Sequence, residues 1–228
     1  SSIITFDAHD PRVQNAIPLS GFESIMPTYQ MLKAMCHTYD DLRIDKHHMM
    51  VISPDEGALN RNIYYSSAMG VDMGMFYKRR DYTRVVNGRN PIVAHEYLGD
   101  SVEGKDVFVA DDIIASGDSI LDLAYNLKKR KAKRVFAGAT FAFFTSGLEA
   151  FDKAYADGVI DHVFATNLTY TPQAVLDRPW FSQADMSKYM AFVIATLNHD
   201  QSLSYLLNPW NRIEKLLTKY RAEHPHND

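Results

Sequence analysis

Two adjacent carboxylates, Asp111 and Asp112, follow the apolar run Val107–Ala110 in the stretch VFVADDIIASGDSILDLAYNL. Carboxylates there can accept hydrogen bonds from sugar hydroxyls. After two apolar residues comes Ala115-Ser116-Gly117-Asp118-Ser119, at the start of a helical pattern over Ser119–Lys131. The unpaired N–H groups and the dipole of a helix N-terminus favour an anion. Ser116 and Ser119 add hydroxyl donors, and Gly117 lets the backbone come close. One loop therefore offers donors to a phosphate and, beside them, acceptors to a sugar. The same residues also suit a plainer role, because Ser and Asp are common helix caps and an Asp pair often marks a solvated turn.

Other residues suggest related chemistry. Asp55 follows the apolar run that ends in Val51-Ile52-Ser53-Pro54, with Glu56 adjacent, and a carboxylate is the expected ligand of a hard cation. Lys78-Arg79-Arg80 closes the run Val71–Tyr77 in a chain whose net charge is −4. Phosphoryl transfer gathers charge on non-bridging oxygens, which a compact ammonium and a forked guanidinium can stabilise. Three cations could also be a solvated loop start. Asp7-Ala8-His9 closes the first apolar run, Ile3–Phe6, where a turn histidine is the plain alternative. His37, His47, His48, His95, His162 and His199 form no metal-ligand spacing, and no Ser-His-Asp or Cys-His arrangement stands out.

These residues need elements to hold them. Apolar runs predict strands at Ile3–Phe6, Met49–Ile52, Val71–Tyr77, Ile92–Tyr97, Val107–Ala110, Arg134–Thr140 and His162–Thr166. Helical patterns fall at Pro27–Tyr39, Ala58–Met69, Ser119–Lys131 and Gly147–Ala156, and again from Ala184 onward, with short helices at Asp200–Leu207 and Ile213–Tyr220. Alternating strands and helices predict an α/β fold with a mostly parallel sheet flanked by helices. In such a sheet ligands sit outside the carboxyl ends of the strands, where the acid pair would lie. Arg79–Pro91 reads as a long mobile loop, and Phe141–Phe144 as core or interface.

Composition narrows the class. The chain has 228 residues, 46% hydrophobic and 23% charged, enough for a sizeable core. It carries no basic tail, so nucleic-acid binding has no electrostatic footprint. Its single cysteine, Cys36, rules out an intrachain disulfide and fits a reducing compartment. No apolar run approaches a membrane span, and no signal peptide is visible. The start, Ser1-Ser2 followed at once by an apolar run, reads as that of a fragment.

VADDIIASGDS resembles the ribose-phosphate loop of the type I phosphoribosyltransferase fold. Further stretches resemble one group with that fold, the ribose-phosphate diphosphokinases. ITFDAHDPRVQNAI is similar to their Asp-x-His segment, VISPDEGALNR to their Ser-Pro-Asp-x-Gly segment, and FYKRRDYTR to their Lys-Arg-Arg loop. VEGKDVFVADD, KRKAKRVFAGAT and VIDHVFATN follow in order, so the resemblance covers about Ile3 to Leu206.

The resemblance implies a transfer of the β,γ-diphosphate of ATP to the C1 hydroxyl of ribose 5-phosphate, by a cytoplasmic homo-oligomer using Mg²⁺. Lys78 and Arg80 would be catalytic, and His9 and Asp55 would serve the metal. Asp111, Asp112, Ala115, Ser116, Gly117, Asp118 and Ser119 would bind ribose 5-phosphate. It also implies three regions: 1–20 as the last strand and linker of a missing N-terminal domain, 21–207 as the phosphoribosyltransferase-like domain, and 208–228 as an extra helix and polar tail. On that division the chain alone would hold ribose 5-phosphate but not a complete ATP site. The sequence departs from the pattern at Ala115, where the synthetases usually have an acid, and at Asp118, in place of a usual glycine. A phosphoribosyltransferase consuming phosphoribosyl diphosphate, or a non-catalytic synthetase-like subunit, are the competing expectations.

Overall fold

Strand β3 (Met49–Ser53) is buried at every position, as a strand must be when helices cover both of its faces. A computed structural model describes residues 2–80 and 92–225, with no side chains for 78–80 and 92–95. The chain begins with β1 (Ser2–Phe6), a 3₁₀ turn (Pro11–Ala16), β2 (Gly21–Ile25) and α1 (Thr28–Thr38) ahead of β3. It continues through α2 (Leu59–Met69), β4 (Asp72–Arg80), β5 (Ile92–Leu98), β6 (Asp106–Ile114), α3 (Asp118–Lys129) and β7 (Arg134–Ala142). Then come α4 (Glu149–Ala156), β8 (His162–Thr166), α5 (Gln173–Leu176), β9 (Phe181–Ala184), α6 (Ser187–Asn198), α7 (Ser204–Leu207) and α8 (Trp210–Glu223).

Seven strands form one sheet in the order β5-β4-β3-β6-β7-β8-β9, while β1 and β2 pair separately. All pairings are parallel except β4 with β5. Successive strand residues point to opposite faces, and the core divides accordingly. Met50, Ile52, Val107, Val109, Val135 and Val163 pack with Leu123 and Leu127 of α3 and Phe151 of α4. Met49, Val51, Phe108, Phe136 and Phe164 pack with Leu32 of α1, Met69 of α2 and Leu217 of α8. The fold is α/β, as the alternation of patterns predicts.

The structure adds to the sequence reading at four points. β2 and β9 carry polar residues at their centres, GFESI and FSQA, so no apolar run marks them. β2 pairs with β1 across the boundary drawn after residue 20. Asp111 and Asp112 lie inside β6 rather than beyond it. The long partner β7 carries the pairing on through Asp111↔Ala139 and Ile114↔Ala142, whereas pairing with β3 stops at Val51↔Phe108. The carboxyl end of the sheet is therefore stepped, and the acids face the step. Finally, α8, in the region expected to hold an extra helix, packs into the core: Ile213, Leu217 and Tyr220 are buried there and the Tyr220 hydroxyl donates to the Tyr39 carbonyl at 2.9 Å. Of the run Phe141–Phe144, Ala142 and Phe144 are core while Phe143 is half exposed. Of the mobile-loop reading Arg79–Pro91, Arg79 and Arg80 are instead the last residues of β4, where pairing with β5 holds the backbone extended, and residues 81–91 lie outside the described residues. No helix among the described residues is long and apolar enough to cross a membrane.

Buried His162 gives the fold a pH response. It is 4% exposed, with Nε2 at 2.8 Å from Ser182 Oγ, and burial lowers its pKa from 6.5 to about 4. Below about pH 6.5 the unfolded chain takes up a proton that the folded one keeps off. The contribution is thus complete above that pH and lost as pH falls towards 4, by on the order of 3 kcal/mol. Denaturant unfolding at about pH 7 and about pH 4.5 should show the loss in the wild type and a smaller one in His162→Gln. Equal losses in both proteins would rule out His162 as the source.

Candidate functional site

Opposite the step in the sheet, α2 supplies the residues that replace β3. Asn62, fully buried, donates its Nδ2 to the Ala110 carbonyl at 2.9 Å and accepts the Ala110 N–H on Oδ1 at 3.0 Å. A side-chain amide thus continues the ladder that β3 leaves unfinished, satisfying backbone groups that would otherwise be buried unpaired. One position earlier, Arg61 is the only charge in the sequence of α2. Its Nε and Nη2 donate to the carboxylate of Asp7 at 2.9–3.0 Å. Asp7 also accepts from Thr140 Oγ1 of β7 at 2.6 Å.

The guanidinium leans on the acid pair as well. Nη1 lies 3.7 Å from Asp111 Oδ1, and Nη2 lies 3.8 Å from Asp112 Oδ1. Asp112 Oδ2 meets His9 Nδ1 at 2.6 Å. Burial and the neighbouring Asp112 push Asp111 up to about 7. Burial acts on Asp112 in the same sense, yet hydrogen bonds with Asp111 and His9, together with the charge of Arg61, hold it below the usual carboxylate range. The Asp112 hydrogen bond raises His9, so this imidazole favours its charged form more than a free one does. The environment separates two adjacent carboxylates, which is a common property of functional sites.

His9, Asp55, Glu56, Arg61, Asp111 and Asp112 line one cleft of about 740 Å³. The sequence-predicted metal residues His9 and Asp55 therefore face the same space as the predicted sugar ligands. Asp55 Oδ1 also accepts the Ala58 N–H at 3.1 Å at the entry to α2. Among the described residues no three His, Cys, Asp or Glu side chains converge as a metal cage. Mg²⁺ keeps most of its water and takes one or two carboxylates plus substrate phosphates, so this donor set fits a cation that arrives on a phosphate.

A smaller crevice of about 120 Å³ adjoins, lined by Asp111, Ile113, Ile114, Ala115, Ser116, Gly117, Ser119 and Ile120. Gly117 has φ +93°, and a Cβ there would lie 2.2 Å from a ring carbon of Phe151. Ser116 Oγ donates to Asp118 Oδ2 at 2.9 Å, so the unexpected acid is engaged by its own loop. The backbones of Lys78 and Arg80 end β4, in register with His95 and Ile92 of β5. Their side chains, and hence the catalytic assignment, lie outside the described residues.

A phosphoribosyl transferase domain model matches residues 24–167. The chain belongs to this family. The matched span runs from β2 to the end of β8 and holds every residue that the sequence assigns to a sugar phosphate, while Asp7 and His9 precede it. The chain is 30% identical over 208 residues to a ribose-phosphate pyrophosphokinase of Vibrio cholerae, covering 90% of this chain and 60% of that protein. A protein of the same name from Chromobacterium violaceum is 28% identical over 207 residues, covering 90% and 58%. The chain thus spans about three fifths of the length of these relatives. In structure it resembles the phosphoribosylpyrophosphate synthetase of Mycobacterium smegmatis, with a TM-score of 0.70 and 20% identity over 87% of this chain and 59% of the other. That likeness shows that the two chains share a fold.

Within the family fold, sequence reasoning missed Asp7, Arg61, Asn62 and Thr140. Asp7 and Arg61 stand in stretches that were recognised, DAH and SPDEGALNR. The lone charge of Arg61 in an otherwise uncharged helix was the available signal.

Proposed function

We propose that this chain carries the ribose-phosphate side of a ribose-phosphate diphosphokinase. The observation that carries the reading is the acid pair of β6, set between a helix-start loop and a cleft that also holds His9 and Asp55. The loop Ala115–Ser119 would receive the 5-phosphate on N–H and hydroxyl groups, with Asp118 drawing on the Ser116 hydroxyl. Asp111 and Asp112 would accept from the ribose hydroxyls and so fix C1 towards the cleft. The C1 hydroxyl would then attack the β-phosphorus of ATP and lose its proton to solvent, the bond to the α,β-bridging oxygen would break, and AMP would leave. Lys78 and Arg80 would stabilise charge on the transferred diphosphate. Mg²⁺, when bound with the nucleotide, would neutralise phosphate charge, and His9 and Asp55 would hold it. The same reading makes the active protein a cytoplasmic homo-oligomer acting on ATP and ribose 5-phosphate.

The test is release of AMP from ATP by the native full-length protein, dependent on ribose 5-phosphate. Release of diphosphate from phosphoribosyl diphosphate driven by a nucleobase, with no AMP formed from ATP, or no turnover at all, would refute the diphosphokinase reading. Asp112→Asn should weaken ribose 5-phosphate binding by about 1.5–3 kcal/mol, the usual range for a charge-assisted hydrogen bond. Calorimetric titration measures this, with circular dichroism to verify that the variant is folded. Wild-type affinity in a folded Asp112→Asn chain would remove Asp112 from the site.

A further inference from the structure

The turn that carries His9 is not hydrogen-bonded into the seven-stranded sheet through any strand pairing, since β1 pairs with β2 alone. It nevertheless delivers an imidazole to Asp112. The polar links that fix this turn, among the described residues, are His9 with Asp112 and Asp7 with Thr140, both to the sheet, and Asp7 with Arg61 of α2, which packs on the sheet. The His9 side chain is 83% exposed, whereas those of Arg61 and Asp7 are 9% and 4% exposed. An exposed ring on a turn has many rotamers available. A buried fork with two parallel donors has one geometry. Asp7 also has φ +42°, a left-handed conformation that Asp and Asn tolerate better than most residues.

We propose that Asp7 and Arg61 are a positioning pair: they lock the turn at the end of β1 onto the sheet, so that His9 is held against Asp112 inside the cleft. The inference rests on reading that cleft as a ribose-phosphate site. Neither residue needs to touch the sugar. The guanidinium fork grips Asp7 on one side and faces Asp111 and Asp112 on the other, so one planar group sets the distance between the turn and the acids. Lysine has charge but no fork, and so cannot do this.

The chain offers its own control. Asp106 and Arg134 form a second buried fork, with Nε and Nη2 donating at 2.9 and 2.6 Å, at the opposite end of β6. Asp7→Asn keeps the left-handed turn, and Arg61→Lys keeps the charge. Each should weaken calorimetric binding of ribose 5-phosphate by about ten- to hundredfold, as loss of outer-shell support does elsewhere. Each should also speed tryptic cleavage after the exposed Arg12, and the double variant should exceed neither single one. Thr140→Val, which leaves the ion pair intact, should act in the same direction by less. Asp106→Asn should lower the unfolding midpoint yet bind ribose 5-phosphate as the wild type does. Wild-type binding by Arg61→Lys, or an equal loss of binding in Asp106→Asn, would overturn the proposal. A wild-type chain that bound no ribose 5-phosphate would overturn the functional reading instead. The cleavage rates alone would then decide whether the pair locks the turn.

Discussion

Replacing Lys78 or Arg80 by alanine should each lower kcat by about 10²- to 10³-fold, with KM nearly unchanged. In the proposed reaction the transferred diphosphate would carry most charge on its non-bridging oxygens in the transition state, and only interactions that strengthen there accelerate the step. Loss of one such donor is worth about 3–4 kcal/mol where it has been measured in other enzymes. The two cations close β4, at the carboxyl end of the sheet, which is the end where ligands of open α/β sheets sit. Steady-state kinetics of AMP release on the native full-length protein separate the possibilities. A rise in KM with unchanged kcat would mean that these residues bind ground state and transition state alike. Wild-type turnover by Lys78→Ala would end the catalytic assignment.

Gly117→Ala should destabilise the fold by about 2–5 kcal/mol, the sum of a left-handed backbone penalty and overpacking. Phe151, which the new methyl group would strike, has little room to retreat. It is fully buried, stacks on Trp180 with ring centroids 5.3 Å apart, and meets Phe144 edge-on at 5.1 Å. The strain must then fall on the loop, moving the N–H groups of residues 115–119 away from a bound phosphate. Denaturant unfolding and sulfate or ribose 5-phosphate titration should both register the change. A variant within about 0.5 kcal/mol of wild type, the usual range for an innocuous surface change, would show that the aromatic cluster is softer than its packing suggests.

Strands buried on both faces were legible in the sequence: His162–Thr166 coincides with β8, and Met49–Ile52 with β3 to within one residue. Their apolar runs follow from burial alone. β2 and β9 were not legible, because their central residues are polar and only pairing makes them strands. The loop proposed for the sugar phosphate was readable because its pattern is local, a strand, two acids and a helix start within one short stretch. The Asp7 cluster was not, because its partners lie 54 and 133 residues away. Nothing in the neighbourhood of Asp7 announces Arg61 or Thr140. The step in the sheet had the same origin, since where β6 loses β3 and keeps β7 depends on the relative lengths of three strands.

Asn62 gives that step a consequence for exchange with solvent. The amide of Ala110 sits inside a parallel strand, yet its acceptor is a side chain of α2 rather than another strand. Its protection therefore belongs to the docking of a helix. Any fluctuation that lifts α2 exposes this strand amide while the ladder from β6 to β7 stays closed. The floor of the cleft and the helix carrying Arg61 thus open as one cooperative unit, separable from the rest of the sheet.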